Sequence, residues 1–259
     1  MIRTFIQVAA TAAILTAAAA DARAEDVSIF QATLAESGQT TSEVSTELLR
    51  RILADGSAIV LDARPRAEFD AGHIPGARVL DAAPNQETLA AERLANGNKA
   101  AALVVYCNGP YCQASRRLAD KLTAAGFTNV RRYQLGMPVW RALGGPTEVE
   151  LDGVRRILKL DRSAVLIDAR SADVFAKGSL PNARNVTAET LGATIKKMMS
   201  GQVQDAPLPL DDFNRRIVLF GQNAAQARKL AEAMSKRPWH NVAYFPGSYE
   251  ELAAPTREK

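Results

Sequence analysis

The sequence predicts an α/β fold laid down twice, each copy a mostly parallel sheet flanked by helices. Two observations carry this. Short apolar, β-branched-rich runs alternate with helix-patterned segments, the order that sets strands side by side and helices on their faces. The same blocks also recur about 105 residues apart, an ordinary domain length. Arg50-Arg51-Ile52-Leu53 returns as Arg155-Arg156-Ile157-Leu158, and Ala58-Ile59-Val60-Leu61 with Asp62-Ala63-Arg64 returns as Ala164-Val165-Leu166-Ile167 with Asp168-Ala169-Arg170. Phe69, Gly72, Pro75, Ala77 and Arg78 meet Phe175, Gly178, Pro181, Ala183 and Arg184 at unchanged spacing.

In chain order, residues 1–24 read as a secretory signal peptide. Arg3 gives a short positive region, Phe5 to Ala20 an apolar Ala-rich run, and Ala22-Arg23-Ala24 a cleavage site. The expectation is an exported, periplasm-type protein with no membrane contact after cleavage. Residues 25–42 form a polar lead-in, 43–147 the first domain, 148–255 the second and 256–259 a tail. In the first domain Ser45 is placed to cap a helix carrying Leu48, Leu49, Ile52 and Leu53. Ile59-Val60-Leu61 and Leu103-Val104-Val105-Tyr106 read as buried parallel strands. Arg116 to Ala125 reads as a helix with Leu118 and Leu122 inward, and Gly126 suits its C-terminal end.

The 259 residues hold 47% hydrophobic and 23% charged side chains, with a net charge of +4. Two cores can be buried. The cations are scattered, which fits attraction for small anions and argues against a nucleic-acid partner. With two His and two Cys in the chain, no zinc site of ordinary spacing exists, and no Gly-rich nucleotide fingerprint follows a strand. No metal or cofactor is expected.

Both cysteines lie in one loop, Cys107-Asn108-Gly109-Pro110-Tyr111-Cys112, between the run ending at Tyr106 and a helix starting near Gln113. In parallel sheets ligands collect at the carboxyl ends of strands. A helix N-terminus there offers unpaired N–H groups and lowers a cysteine's pKa. Cys107 is therefore the candidate nucleophile. A cysteine phosphatase would need an arginine where Gln113 stands, and the absence of C-x-x-C argues against an ordinary thiol–disulfide exchanger.

These residues resemble the rhodanese-type sulfurtransferases, here in tandem. The motifs are Leu61-Asp62-Ala63-Arg64, Glu68-Phe69, Gly72-His73-Ile74-Pro75-Gly76-Ala77 and Val105-Tyr106-Cys107, then Gly126-Phe127-Thr128-Asn129-Val130, Gly136, Trp140, Gly144 and Pro146. The resemblance covers nearly all of 43–147 and more weakly 150–255. It implies a Cys107 thiolate that takes sulfane sulfur from a small sulfur-containing anion such as thiosulfate. The persulfide then passes the sulfur to a thiol, cyanide or a protein acceptor, while residues 108–113 cradle it.

Two departures matter. Cys112 stands where thiosulfate-using relatives carry a polar or cationic residue, and the loop holds no Lys or Arg. In the second copy Gly221 takes the nucleophile's place, its loop is two residues shorter, and Ser179 and Asn182 replace His73 and Gly76. That copy is expected to be silent and to cover or shape the approach to the first. Cys107 is open to three readings: an inert buried thiol, one half of a lasting disulfide, or a nucleophile whose persulfide or sulfenate Cys112 resolves. A non-enzymatic binding or redox-sensing module built on the same pair is the alternative function. Asp62 and Arg64 are either catalytic or an ion pair that orients the loops, and His73 is read first as a loop-fixing hydrogen-bond residue and second as a base. Trp140 is expected to pack, and Ser115 to hydrogen-bond near the helix start.

Overall fold

The computed structural model describes residues 40–80, 82–83, 85–202 and 205–255. The expected signal peptide, most of the lead-in and the tail lie outside the described residues. The first half runs β1 (Ser42–Glu43), α1 (Thr46–Asp55), β2 (Ile59–Asp62), α2 (Arg66–Asp70), β3 (Arg78–Val79), α3 (Glu87–Leu94), β4 (Leu103–Tyr106), α4 (Ala114–Ala124), β5 (Val130–Tyr133) and α5 (Gly136–Ala142). The second runs β6 (Thr147–Glu148), α6 (Leu151–Leu160), β7 (Val165–Asp168), α7 (Ala172–Ala176), β8 (Arg184–Asn185), α8 (Leu191–Met199), β9 (Ile217–Phe220), α9 (Ala224–Ser235), β10 (Val242–Tyr244) and α10 (Tyr249–Ala253). The sheet orders are β1-β5-β4-β2-β3 and β6-β10-β9-β7-β8, one topology used twice. All pairings between these strands are parallel.

The central strand explains why the chain folds this way. Leu103, Val104, Val105 and Tyr106 are all fully buried, as a parallel strand covered on both faces must be. Val104 and Tyr106 join Leu49 and Ile52 of α1 and Met137 and Trp140 of α5. Leu103 and Val105 face Leu118, Ala119 and Leu122 of α4. Each such side chain contributes about 1.5–3 kcal/mol of burial. The Ser45 hydroxyl accepts the Leu48 N–H at 3.1 Å, starting α1 as its sequence indicates. Gly126, at φ 91°, follows the last turn of α4.

Helix α4 begins at Ala114, as expected of a run starting near Gln113, so it meets the thiol loop directly. One boundary differs from expectation. In the second domain the matching loop shrinks from residues 107–113 to residues 221–223, more than the two residues expected. The cause is Asn223, whose side chain accepts the Gln226 N–H at 3.1 Å and starts α9 early.

The halves meet along a hydrogen-bonded seam. His73 and Glu148 form an antiparallel bridge, exchanging N–H···O bonds of 2.9 Å in both directions. The Glu150 N–H donates to Asp70 O at 3.0 Å, and Arg216 Nη1 donates to Ala71 O at 3.2 Å. Gly153 of α6 sits so close to the end of α2 that a Cβ there would lie 1.8 Å from Asp70 O.

Candidate active site

Cys107 directly follows β4 and is 1% exposed. Its Sγ lies 3.0 Å from Cys112 O and 3.3 Å from Ser115 Oγ, with the S–H donating in these contacts. The loop turns sharply: Gly109 has φ 114°, and its carbonyl accepts the Cys112 N–H at 3.0 Å. Beneath it the Met137 N–H donates to Cys107 O at 3.1 Å. Gly136, at φ 59°, lets α5 come up under the loop; a Cβ there would lie 2.3 Å from Cys107 O and 2.4 Å from Gly109 N.

The two thiols are free, and each acts on the other's acidity, in opposite directions. Burial pushes the Cys107 thiol above its ordinary value, and Cys112 adds to that rise; bonds from Ser115 oppose it. Burial also tends to raise Cys112, but a bond from Cys107 and the N–H groups of Ala114 and Asn108 outweigh it, so this thiol sits below its ordinary value. This corrects the expectation drawn from the helix N-terminus. The acidifying amides of the loop act on Cys112, because Cys107 lies deeper, where desolvation dominates.

The remaining loop residues divide by exposure. Asn108 spans two partners, donating from Nδ2 to Glu68 Oε2 at 2.7 Å and accepting from Arg64 Nη1 at 3.5 Å. Pro110 is half-buried, while Tyr111 at the apex is 96% exposed. Gln113 is exposed, and its carbonyl accepts the Arg117 N–H at 3.0 Å as α4 begins.

Asp62 and Arg64 form the orienting ion pair. Arg64 Nε and Nη2 reach both carboxylate oxygens of Asp62 at 2.6–3.1 Å, and Nη2 also bonds Gly72 O at 2.8 Å. The Tyr106 hydroxyl donates to Asp62 Oδ2 at 2.7 Å and accepts the Ile74 N–H at 3.1 Å. Burial tends to lower the Arg64 pKa, but Asp62 outweighs it and the guanidinium is held more firmly charged. The second domain rebuilds the same knot from Asp168, Arg170 and Gly178. There Phe220 replaces Tyr106, and the missing hydroxyl is supplied by Ser179, whose Oγ donates to Asp168 Oδ2 at 2.7 Å. The pair persists where no thiol exists, which marks it as scaffold.

His73 does not join the thiols. Its ring is buried, stacks on Phe69 at 3.6 Å between centroids, pairs Nδ1 with Phe69 O at 3.0 Å, and turns Nε2 toward Glu148 Oε1 at 3.8 Å. It fixes the interdomain seam. Among the described residues, His73, Glu148 and Glu150 bring atoms of metal-ligand type within 4.8 Å of one another, with Arg228 also directing positive charge toward Glu148.

Sequence reasoning missed one group. Arg132 is 1% exposed, pairs with Glu43 across β1 and β5 (Nη1 to Oε1, 3.8 Å), and directs Nη2 to Ser115 Oγ at 3.4 Å. Since Val105 pairs with Arg132 in the ladder, Cys107 and Arg132 share the α4 face. A buried cation thus stands against Ser115, the residue whose hydroxyl contacts the sulfur. The signal was present in Arg131-Arg132: two successive arginines on a strand covered on both faces put one of them inside. Trp140 packs as expected, with its Nε1 on Pro146 O at 2.9 Å.

The second domain's equivalent site is closed. A Cβ on Gly221 would lie 2.9 Å from Gln226 Oε1, which instead accepts the Gln222 N–H at 2.8 Å.

Comparison with known proteins agrees with this architecture. The description Rhodanese-like domain matches residues 45–143 and again 154–255. The chain is 38% identical over 102 residues to the HTH-type transcriptional regulator Rv0324 of Mycobacterium tuberculosis, a match covering 39% of this chain and 42% of that protein. Among solved structures, the thiosulfate sulfurtransferase of Pseudomonas aeruginosa is similar at 18% identity and TM-score 0.39, covering 88% of this chain and 47% of that one. The BH2092 protein of Bacillus halodurans is similar at 28% identity and TM-score 0.37, covering 42% and 77%. The chain belongs to the rhodanese-like family, and carries its domain twice in tandem.

Proposed function

We propose that the first domain is a sulfurtransferase that carries sulfane sulfur as a persulfide on Cys107. The observation behind this reading is the position of Cys107: the end of the central strand, at the mouth of a Gly109-turned loop, with Ser115 beside the sulfur and the buried Arg132 in contact with Ser115. With thiosulfate as donor, the Cys107 thiolate attacks the outer sulfur, the S–S bond breaks and sulfite leaves with the electron pair. The persulfide anion then gains stabilisation from hydrogen-bond donors such as Ser115, whose hydroxyl Arg132 in turn contacts. A groove of about 640 Å³ between the segment after β2 and α4, lined by Arg64, Arg66, Arg117 and Lys121 along with Asp62 and Glu87, borders Ala114, the residue that follows the loop. The second domain, with Gln226 filling its equivalent site, serves the first through the seam. Export by the N-terminal leader is part of this reading, and N-terminal sequencing of the secreted chain checks it.

The test uses the Cys112→Ser variant, which leaves a single thiol. Treated with thiosulfate, it gains one sulfur atom by intact mass, mapped to the Cys107 peptide, and the Cys107→Ser/Cys112→Ser double variant gains none. No gain from thiosulfate or any other sulfane donor overturns the reading. It would favour the second one, a redox-sensing binding module, which the placing of two free thiols in one loop supports.

A further inference from the structure

Resting on that reading, we infer that Cys112 discharges the Cys107 persulfide internally, so that the domain reduces sulfane sulfur to hydrosulfide at the expense of a dithiol. Cys107 Sγ lies 3.0 Å from the carbonyl oxygen of Cys112 itself, so the loop brings the two cysteines face to face, and each thiol acts on the other's acidity. Cys112 is half-buried on the solvent side of the loop, whereas Cys107 is closed off.

Substitution at divalent sulfur needs attacking sulfur, attacked sulfur and leaving sulfur close to a straight line. A Cys112 thiolate that closes on Cys107 Sγ from across the loop takes that line when the outer sulfur departs on the far side. To reach the outer sulfur in line, it would first have to retreat by a full S–S bond length, about 2 Å. Leaving-group strength points the same way. Attack on Sγ expels hydrosulfide, a weaker base than an alkyl thiolate; attack on the outer sulfur expels the Cys107 thiolate, which burial makes a stronger base than usual. The attacking group is suited to its part, since the loop amides favour Cys112 as the thiolate.

The step balances. The Cys112 thiol gives its proton to the outer sulfur of the persulfide anion, the resulting Cys112 thiolate forms a bond to Cys107 Sγ, the Sγ–S bond breaks, and the outer sulfur leaves as HS⁻ with the bonding pair. What remains is a Cys107–Cys112 disulfide closed across Asn108, Gly109, Pro110 and Tyr111. A dithiol reductant then attacks that disulfide, leaves as its own cyclic or protein disulfide, and returns both thiols. Over one cycle two electrons pass from the dithiol to the sulfane sulfur. The acceptor is thereby assigned a chemical class: a dithiol that reads an oxidised loop beside an exposed Tyr111, rather than a thiol that collects the sulfur.

The experiment is a single turnover of the full reduced chain, freed of reductant, with thiosulfate. Free sulfide is measured together with a non-reducing peptide map. Wild type is expected to release one sulfide per chain, stop, and show the Cys107–Cys112 disulfide; added dithiothreitol restores turnover. Cys112→Ser and Cys112→Ala are each expected to hold the persulfide on Cys107 with sulfide at background. A wild-type chain that keeps its persulfide on Cys107, or shows it moved to Cys112, overturns the discharge step while leaving the Cys107 persulfide intact. Absence of persulfide in the Cys112 variants overturns the underlying sulfurtransferase reading instead.

Discussion

Gly136 is where the fold holds the thiol loop from below, and Gly136→Ala tests that role. The added methyl carries two costs. At φ 59° any L-residue bears the left-handed backbone penalty, about 1–2 kcal/mol. The Cβ would also fall 2.3 Å from Cys107 O, 2.4 Å from Gly109 N and 2.8 Å from Gly109 Cα. All three are backbone atoms, so the loop must rise, at an overpacking cost of about 1–3 kcal/mol. Together this is about 2–5 kcal/mol, or a fall in Tm of about 4–20 °C for a chain of this size. Gly97→Ala is the internal control: its φ is 76° and nothing lies within 4 Å of the new Cβ, so it isolates the backbone part, about 1–2 kcal/mol. Thermal unfolding of both variants, with alkylation rates of Cys107 and Cys112, reads stability and loop geometry together. If Gly136→Ala costs no more than Gly97→Ala and leaves both alkylation rates unchanged, α5 does not support the loop and the argument fails.

Three further outcomes are expected. Asp62→Asn strips the partner from a guanidinium that is nearly fully buried, and should cost about 3–5 kcal/mol in denaturant unfolding; Asp168→Asn should cost a similar amount although no thiol is near. In pH-dependent alkylation followed by peptide mass, Cys112 should react along a profile centred below that of Cys107, because the thiolate fraction rises with pH and Cys112 is the more acidic thiol. Since Cys112 raises Cys107, Cys112→Ser should move the Cys107 profile to lower pH, and an unmoved profile would contradict the coupling. Gly153→Ala places a Cβ 1.8 Å from Asp70 O. It should open the seam at about 1–3 kcal/mol, seen as faster hydrogen exchange at His73 and Glu150.

The fold was legible because its signals are local and doubled. The strand runs ending at Leu61 and Tyr106, the Ser45 cap and the Gly126 stop each specify their element, and the repeat confirms the order. The Asp62–Arg64 pair was legible as a pair, with a catalytic and an orienting reading both open, and its second copy recurs where no thiol stands. What escaped depends on distance in the chain. The role of Arg132 requires Glu43, from a two-residue strand at the edge of the polar lead-in, to reach it across β1 and β5. The inverted acidity of the thiols depends on how deep each sulfur lies, which loop composition does not encode. Ser179 standing in for the Tyr106 hydroxyl joins residues from different motifs, so a position-by-position comparison records two unrelated losses where the structure has one exchange.

One guanidinium links the seam to the thiols. Arg64 holds Gly72 O, next to the His73–Glu148 bridge, with one nitrogen and reaches Asn108, next to Cys107, with another. A rotation of the second domain therefore has a short mechanical route to the reactive loop: one residue in the seam, one arginine, one residue in the loop. A protein gripping the second domain, far from either sulfur, would pull on the thiol pair through a single side chain.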